Sequence, residues 1–553
     1  MRGLVTPLRI RPWAIIAGFA ALLTAVSGCL ATGIERAYVL RHGPWDDDPG
    51  YYSFYNARLW AQVREDGRLA VAWREWTGNA RHPLRTTPNV LAAPGLLASP
   101  TGHVATMLPA LFAFLFLLGW TVLDRTGSRP FALASMLVFC AIPGLYDPRV
   151  GIASNWLDLP AALLVGAAAM CLINSNGARS LRWLAAFGVL AACAALSRYI
   201  AAAFVFVAAA PILAVQLRGR RREGVLAPLG VIAAAIAVPA GYFLVAHLRT
   251  NASFYTTYGY ALGQDIPLVA RFVGLYLKRF LYAPGMLLAG GLLAVQLACF
   301  WPAFRRARWE WALPVWLAVS IPLFLIFGMR VLRGQSATFF AVPMIFVALA
   351  TPVRLAGGSA KRFAWAAGLL AAAALLVGGR GVWRGGRIAD EAPGPQRAFD
   401  VELADHLSIG RTRIVWYTYF DEVAWIPTLD AFYRHGSLAL PAGQPFFHAH
   451  EMPWKGDYPG LAPAQIGERV YAATCRWVDL AVVLDDPAAD LSWMSNDVSR
   501  AVARDIAARI RGDGNWTRVF EIESPRHGKL AGYGNLTSNR KGYGTALRGE
   551  LRP

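Results

Sequence analysis

Long apolar runs, parted by short polar breaks rich in arginine, fill the first 380 residues. An apolar run of about 18 residues or more reads as a membrane helix. About eleven such spans are expected, near residues 13–33, 105–123, 130–146, 159–174, 183–197, 200–217, 225–247, 282–302, 311–328, 337–352 and 363–379. The third to fifth are short for a full crossing, and their helices are expected to extend into the flanking polar residues. Arg2, Arg9 and Arg11 precede the first span, and Val26-Ser27-Gly28-Cys29 near its end is similar to a lipoprotein cleavage box. A polytopic chain needs no lipid anchor, so the span reads as an uncleaved first helix.

The polar breaks set an orientation. With the N-terminus inside, the cytoplasmic connections are 124–129, 175–182, 218–224, 305–310 and 352–362. Each is short and net basic, with Arg125, Arg179, Arg220, Arg306 and Lys361 among its cations, which is the positive-inside pattern. The larger connections then lie outside: 34–102, 147–158, a tight turn at Ser197-Arg198-Tyr199, 248–280 and 330–335. Within the first of these, 60–76 mixes apolar and charged residues and reads as an amphipathic helix at the surface. An odd number of spans also puts the C-terminus outside.

After residue 380 the pattern changes. A Gly/Arg/Pro-rich stretch, 380–395, reads as a linker between a membrane domain (1–379) and an extracytoplasmic α/β domain (396–553). Within the latter, 413–419 and 478–484 read as strands and 497–511 as a helix. Gly532-Tyr533-Gly534 and Gly542-Tyr543-Gly544 read as loop. Trp416, Tyr417, Tyr419 and Trp425 read as core packing, with acceptor contact as the alternative. The fold class expected is a polytopic α-helical membrane protein with a C-terminal α/β domain.

Composition agrees: 56% of residues are hydrophobic and only 16% charged, against roughly a quarter charged in soluble domains. The net charge of +20 invites a nucleic-acid reading, but the cations between spans are topology signals, so no nucleic acid is expected. Six cysteines, five of them in or near apolar spans, outline neither a disulfide framework nor a metal cluster. No cofactor motif is visible.

The unusual chemistry lies in the external segments. Trp45-Asp46-Asp47-Asp48-Pro49-Gly50-Tyr51-Tyr52 continues through Phe54, Tyr55 and Trp60. Three adjacent carboxylates beside a bilayer repel one another, and carboxylates mixed with aromatics suit a carbohydrate. An acidic turn with an aromatic belt is the bland alternative. Asp147 and Asp158 are further candidate acids. Arg85, Arg149, Arg198, Arg271, Lys278, Arg279, Arg330 and Arg333 are candidate cations, and Tyr255 and Tyr258 add aromatics to the fourth external connection. Both signs at one membrane face suit a lipid-phosphate donor: a carboxylate takes a proton and guanidinium groups hold phosphate. Headgroup contact or snorkelling is the alternative for each cation, and helix N-capping for Asp158.

These motifs resemble the GT-C membrane glycosyltransferases of the protein-O-mannosyltransferase and lipid A aminoarabinose-transferase type, over roughly residues 13–352. Asp47-Asp48-Pro49-Gly50-Tyr51-Tyr52 is similar to the family's acidic pair after the first span, with Asp48 where Glu is usual. His82-Pro83-Leu84 is similar to His-Pro-Pro-Leu but lacks one proline. Asp158 stands where a second acid opens the fourth span. Leu196-Ser197-Arg198 is similar to Leu-Thr-Lys, and Arg333 to a late Arg-Tyr turn whose Tyr is missing. The resemblance implies inverting transfer from a polyprenyl-phosphate-sugar donor to a lipid, glycan or protein acceptor outside the cytoplasmic membrane. It implies Asp47 as base, with Asp46 or Asp48 as the alternative register, and Asp158 assisting or orienting the acceptor. Arg198 and Arg333 would hold the donor phosphate, helped by Arg271 or Lys278. Asp46-x-Asp48 is also similar to a metal-binding DxD, but this branch of the family generally uses no metal.

Two other readings stand beside it. A transporter or flippase of a lipid-linked saccharide would place ionisable groups at mid-membrane depth and show repeated halves; no repeat is visible. A receptor anchored by its spans would not need so many.

Overall fold

The computed structural model describes residues 12–43, 48–78, 83–152, 154, 158–218, 220–261, 266–306, 312–324, 334–350, 360–408, 414–417, 425–436, 440–441, 460–476, 478–485, 497–525 and 528–537. The chain divides into two compact units, and both are discontinuous in sequence. One comprises 1–37, 67–96 and 101–389, the other 38–66, 97–100 and 390–553.

The first unit is helical. It takes most of α1 (Pro12–His42), then α3 (Arg68–Gly78), α4 (Pro83–Leu91), α5 (Gly102–Thr126), α6 (Arg129–Cys140), α7 (Asp158–Asn174), α8 (Leu181–Ser197) and α9 (Ala201–Leu217). Next come α10 (Arg222–Ala261), α11 (Ile266–Arg306), α12 (Ala312–Leu323), α13 (Gly334–Leu349) and α14 (Ala360–Asp390). Among the described residues, four helices are long and apolar enough to cross a membrane: Pro12–His42, Gly102–Thr126, Arg222–Phe243 and Ala364–Asp390. Shorter apolar helices include α6, α7, α8 and α9.

Helix α7 is the centre of this unit. It is buried on every side from Asp158 to Ile173 and packs against α5, α8 and α13. Lipid gives helices no hydrophobic reason to associate, so close approach at small residues does that work. At Gly166 an added Cβ would lie 2.7 Å from the Phe114 ring. Phe114 and Phe346 flank Phe139, with ring centroids 4.5 and 5.1 Å apart.

Several boundaries differ from the sequence expectation. The first apolar run does not stop at 33 but stays helical to His42. The expected surface helix 60–76 is two helices, α2 (Asp48–Asp66) and α3, parted at Gly67 with φ +82°. The expected span 130–146 ends as α-helix at Cys140, and Pro143–Tyr146 is a 3₁₀ turn, because proline cannot continue the helical ladder. Much of the expected loop 248–280 is helix, shared between α10 and α11. The expected linker is helical as far as Asp390. Gly378, Gly381 and Gly385 of α14 fall on one helix face. An added Cβ there would meet Ala141, Pro143 and the Tyr146 carbonyl respectively. These glycines serve close packing and do not break the helix.

The second unit is α/β. It contains α2, α15 (Pro395–Ser408), β1 (Ile414–Tyr417), α16 (Trp425–His435), β2 (Leu440–Pro441) and α17 (Pro463–Thr474). It continues with β3 (Leu480–Leu484), α18 (Asp497–Gly512), β4 (Trp516–Ser524) and β5 (Gly528–Asn535). The strand order is β2-β1-β3-β5-β4. The first three strands are parallel, and β5 is antiparallel to both β3 and β4. Side chains alternate across the sheet: Val415 and Tyr417 join a core with Phe399 and Leu403, and Trp416 one with Ile466, Val502 and Ile506. Trp416 and Tyr417 are therefore core residues. Trp425 opens α16, and Tyr419 lies outside the described residues. Gly532-Tyr533-Gly534, expected as loop, is strand β5, and the Phe520 ring of β4 occupies the space a side chain at 532 would take. The second glycine-tyrosine stretch, 542–544, lies outside the described residues.

Candidate functional site

The clearest candidate begins at the start of α7. Asp158 opens that helix, where the unpaired N–H groups favour a carboxylate. Helix α8 ends at Ser197, whose hydroxyl donates to the Cys193 carbonyl at 2.8 Å. Arg198 then turns to an extended backbone (φ −154°, ψ 115°) while its N–H still reaches the Ala194 carbonyl. The turn brings Arg198 Nε to 3.1 Å from Asp158 Oδ1, with the carboxylate side chain 0% and the guanidinium 16% exposed. A buried charge is tolerated when it is paired. Two residues distant in sequence, one expected as acid and one as phosphate holder, thus meet in a single ion pair. A carboxylate committed to a guanidinium is suited to positioning a ligand. The exposed part of Arg198 can approach an anion.

The surroundings come from the first external segment. Trp76 of α3, Leu84 of α4 and Tyr199 pack on an apolar cluster of Ala192, Leu196, Ala240 and Phe243. Arg85, next along α4, is buried, as are its polar neighbours Thr86 and Asn89. It is held in the bundle and is not a surface cation at a headgroup.

A second cluster lies at the α6–α7 connection. Asp147 accepts hydrogen bonds from Tyr282 Oη at 2.8 Å and from the Arg149 N–H at 2.9 Å. Arg149 Nε is 3.7 Å from the same carboxylate. The Arg384 guanidinium stacks 4.1 Å above the Tyr282 ring. Tyr282 marks a kink in α11, with φ +53° and ψ 169°, a conformation that a bulky residue adopts only when its contacts hold it there.

Asp46, Asp47, His82, Arg330 and Arg333 lie outside the described residues. Asp48 opens α2, with Tyr51 and Tyr52 on the same helix, and Tyr255 and Tyr258 lie near the end of α10; only the backbone of these five is described. Arg271, Lys278 and Arg279 are exposed along α11. Among the described residues no group of three or more His, Cys, Asp or Glu could hold a metal ion.

Sequence reasoning missed three features. Glu35 and His103 form a buried pair, Oε1 to Nε2 3.0 Å; ending the first span at residue 33 hides the acid, which lies inside α1. Arg384 is hidden in the expected linker. The third concerns the acidic segment. Residues 38–66, which include the three aspartates, belong to the α/β unit and not to the helical bundle.

In comparisons with known proteins, no family model and no curated protein matches the chain. Among solved structures it is similar to the arabinofuranosyltransferase AftD from Mycobacteria, determined by single-particle cryo-EM, at 13% identity and a TM-score of 0.47. The alignment covers 93% of this chain and 40% of that one, so the chain spans about two fifths of its length. A likeness at that TM-score is silent about chemistry.

Proposed function

We propose that the chain is a membrane glycosyltransferase of the GT-C type. It moves a sugar from a polyprenyl-phosphate donor to an acceptor on the outer side of the cytoplasmic membrane, with inversion. Asp47 is the base, with Asp46 or Asp48 as the alternative register. Arg198 holds the leaving phosphate and Asp158 fixes the guanidinium that does so. Arg333 holds the phosphate with Arg198, helped by Arg271 or Lys278. The reaction needs no metal in this reading, because guanidinium groups supply the positive charge at the phosphate.

The observation that supports this reading best is the buried Asp158–Arg198 pair. Separate sequence motifs point to its two members for one reaction. Incubating the purified protein with a panel of polyprenyl-phosphate-sugars and following release of polyprenyl phosphate tests it. Release by wild type and not by Asp47→Asn is the expected result. Full activity in Asp47→Asn would sink the assignment of the base.

The buried Glu35–His103 pair favours a second reading, a flippase of a lipid-linked saccharide, since ionisable pairs inside a bundle mark transport paths. A proteoliposome flipping assay separates the two: flipping without transfer would select the second.

A further inference from the structure

The cluster around Tyr282 is built by three elements of the helical unit and takes no part in the reaction proposed above. The 143–146 turn lies hard against α11: an added Cβ at Gly144 would be 2.2 Å from the Phe280 carbonyl. Helix α14 lies against the same turn, through Gly381 on Pro143 and Gly385 on the Tyr146 carbonyl. The turn thus carries Asp147 to the Tyr282 hydroxyl, at 2.8 Å. Helix α14 carries Arg384 over the Tyr282 ring, at 4.1 Å.

The charges in this cluster do not balance. One carboxylate, 5% exposed, faces two guanidinium groups. Arg149 takes it, through its N–H at 2.9 Å and its Nε at 3.7 Å, with its side chain still 43% exposed. Arg384 is exposed, and among the described residues no carboxylate lies within ion-pair distance of it. Stacking on a ring orients a guanidinium and leaves its edge N–H groups for an anion.

Arg384 also belongs to a strip. Arg380, Arg384 and Arg387 recur at helical spacing and are all exposed. Arg387 stacks on the exposed Trp383 at 5.2 Å. Earlier on α14 the same strip is apolar and exposed, with Trp365, Leu369 and Leu376. The strip is thus apolar for about three turns and cationic for about two. Ala364–Asp390 is long and apolar enough to cross a membrane. An apolar strip that runs into a cationic one on a span matches an amphiphile with a hydrocarbon tail and an anionic head.

We propose that this corner of the helical unit is a binding site for an anionic phospholipid of the surrounding bilayer. Arg384 and Arg149 take the phosphate, while Tyr282 and Asp147 hold the two guanidinium groups in place. The acyl chains lie along the strip that ends at Leu376. A zwitterionic headgroup fits less well, because its own cation meets Arg380 and Arg387. The inference is independent of what the protein transfers.

Native mass spectrometry of the full-length protein, released from nanodiscs of equal phosphatidylglycerol and phosphatidylcholine, reads which lipid stays bound. Wild type is expected to retain phosphatidylglycerol in about tenfold excess or more. Arg384→Gln lowers that excess about fivefold, the effect of one cation at a lipid surface. Arg380→Gln with Arg387→Gln touches only exposed side chains and abolishes the excess, which guards against an α14 displaced by Arg384→Gln. Arg222→Gln, an exposed arginine on α10, leaves the excess unchanged. Equal retention of the two lipids by wild type overturns the proposal, as does an unchanged excess in both the Arg384 and the double variant. An equal fall in Arg222→Gln overturns it too, because net charge and not this site would then hold the lipid. Two further arms name the source of the phosphate. Displacement of phosphatidylglycerol by inorganic phosphate would mark a free-phosphate site, and displacement by an equal amount of polyprenyl phosphate a donor site; either result overturns the proposal.

Discussion

Two arginine–aspartate pairs sit in different surroundings. Asp158–Arg198 joins the ends of two helices in the apolar bundle, with a contact of 3.1 Å from Nε. Arg397–Asp430 joins two helices of the α/β unit through both terminal nitrogens, with Arg434 behind. The chemistry is the same and the jobs differ. A forked, three-partner pair serves geometry. The bundle pair is joined through Nε, with its guanidinium 16% exposed.

The largest effect should come from breaking the bundle pair. Arg198→Ala leaves a carboxylate buried and uncompensated, at a cost of about 3–5 kcal/mol, read by denaturant unfolding in detergent. Removing both charges together, Asp158→Asn with Arg198→Gln, should restore most of that stability while transfer stays abolished. Equal losses in the single and double variants would show that the two are not charge-coupled.

The α/β pair should respond less. In Asp430→Ala the guanidinium loses its fork but stays partly hydrated, at a cost of about 2–3 kcal/mol by thermal unfolding. A loss as large as that of Arg198→Ala would erase the distinction between the two pairs.

A steric contact sharpens it further. Gly385→Ala pushes a methyl group toward the Tyr146 carbonyl; the expected cost is about 1–3 kcal/mol, as for overpacking elsewhere. Stability unchanged in this variant would mean that α14 yields, and that charge and not close approach holds the bundle there.

The smallest effect belongs to a half-buried carboxylate. The Tyr471 hydroxyl donates to Asp513 Oδ2 at 2.5 Å, and this bond, helped by the Asn515 N–H, holds the Asp513 carboxyl below its ordinary value. A depressed acid contributes stability above the ordinary aspartate range and loses it as pH falls through the depressed value. Tyr471→Phe should therefore melt slightly below wild type at neutral pH, and the gap should close below about pH 4. A gap that widens in acid would reverse the sign.

Much of the architecture is legible in the sequence, for physical reasons. Apolar runs must be helices in lipid, and β1, β3 and α18 emerge from periodicity. Asp158 and Arg198 stand out because charge beside an apolar span is costly. What the pattern hides is long-range. The glycines of α14 read as breakers because their partner, the 141–146 segment, is more than two hundred residues away. Gly532 reads as loop because the ring that covers it, Phe520, belongs to another strand. Gly43 lies against Arg397, where an added Cβ would be 2.6 Å from Nη1; this pairing leaves no local trace, since nothing near residue 43 announces a contact with residue 397.

That last contact also sets a clock. Residues 38–66 leave the ribosome roughly 320 residues before most of their own unit, which resumes at 390. At about 5–20 residues per second, the acidic segment waits some tens of seconds with its partners not yet made. During synthesis the helical spans enter the membrane while α2 has no partner to pack on. The unit is thus completed late, after α16 is translated, and a nascent chain stalled before that point holds α2 without the helix it packs on.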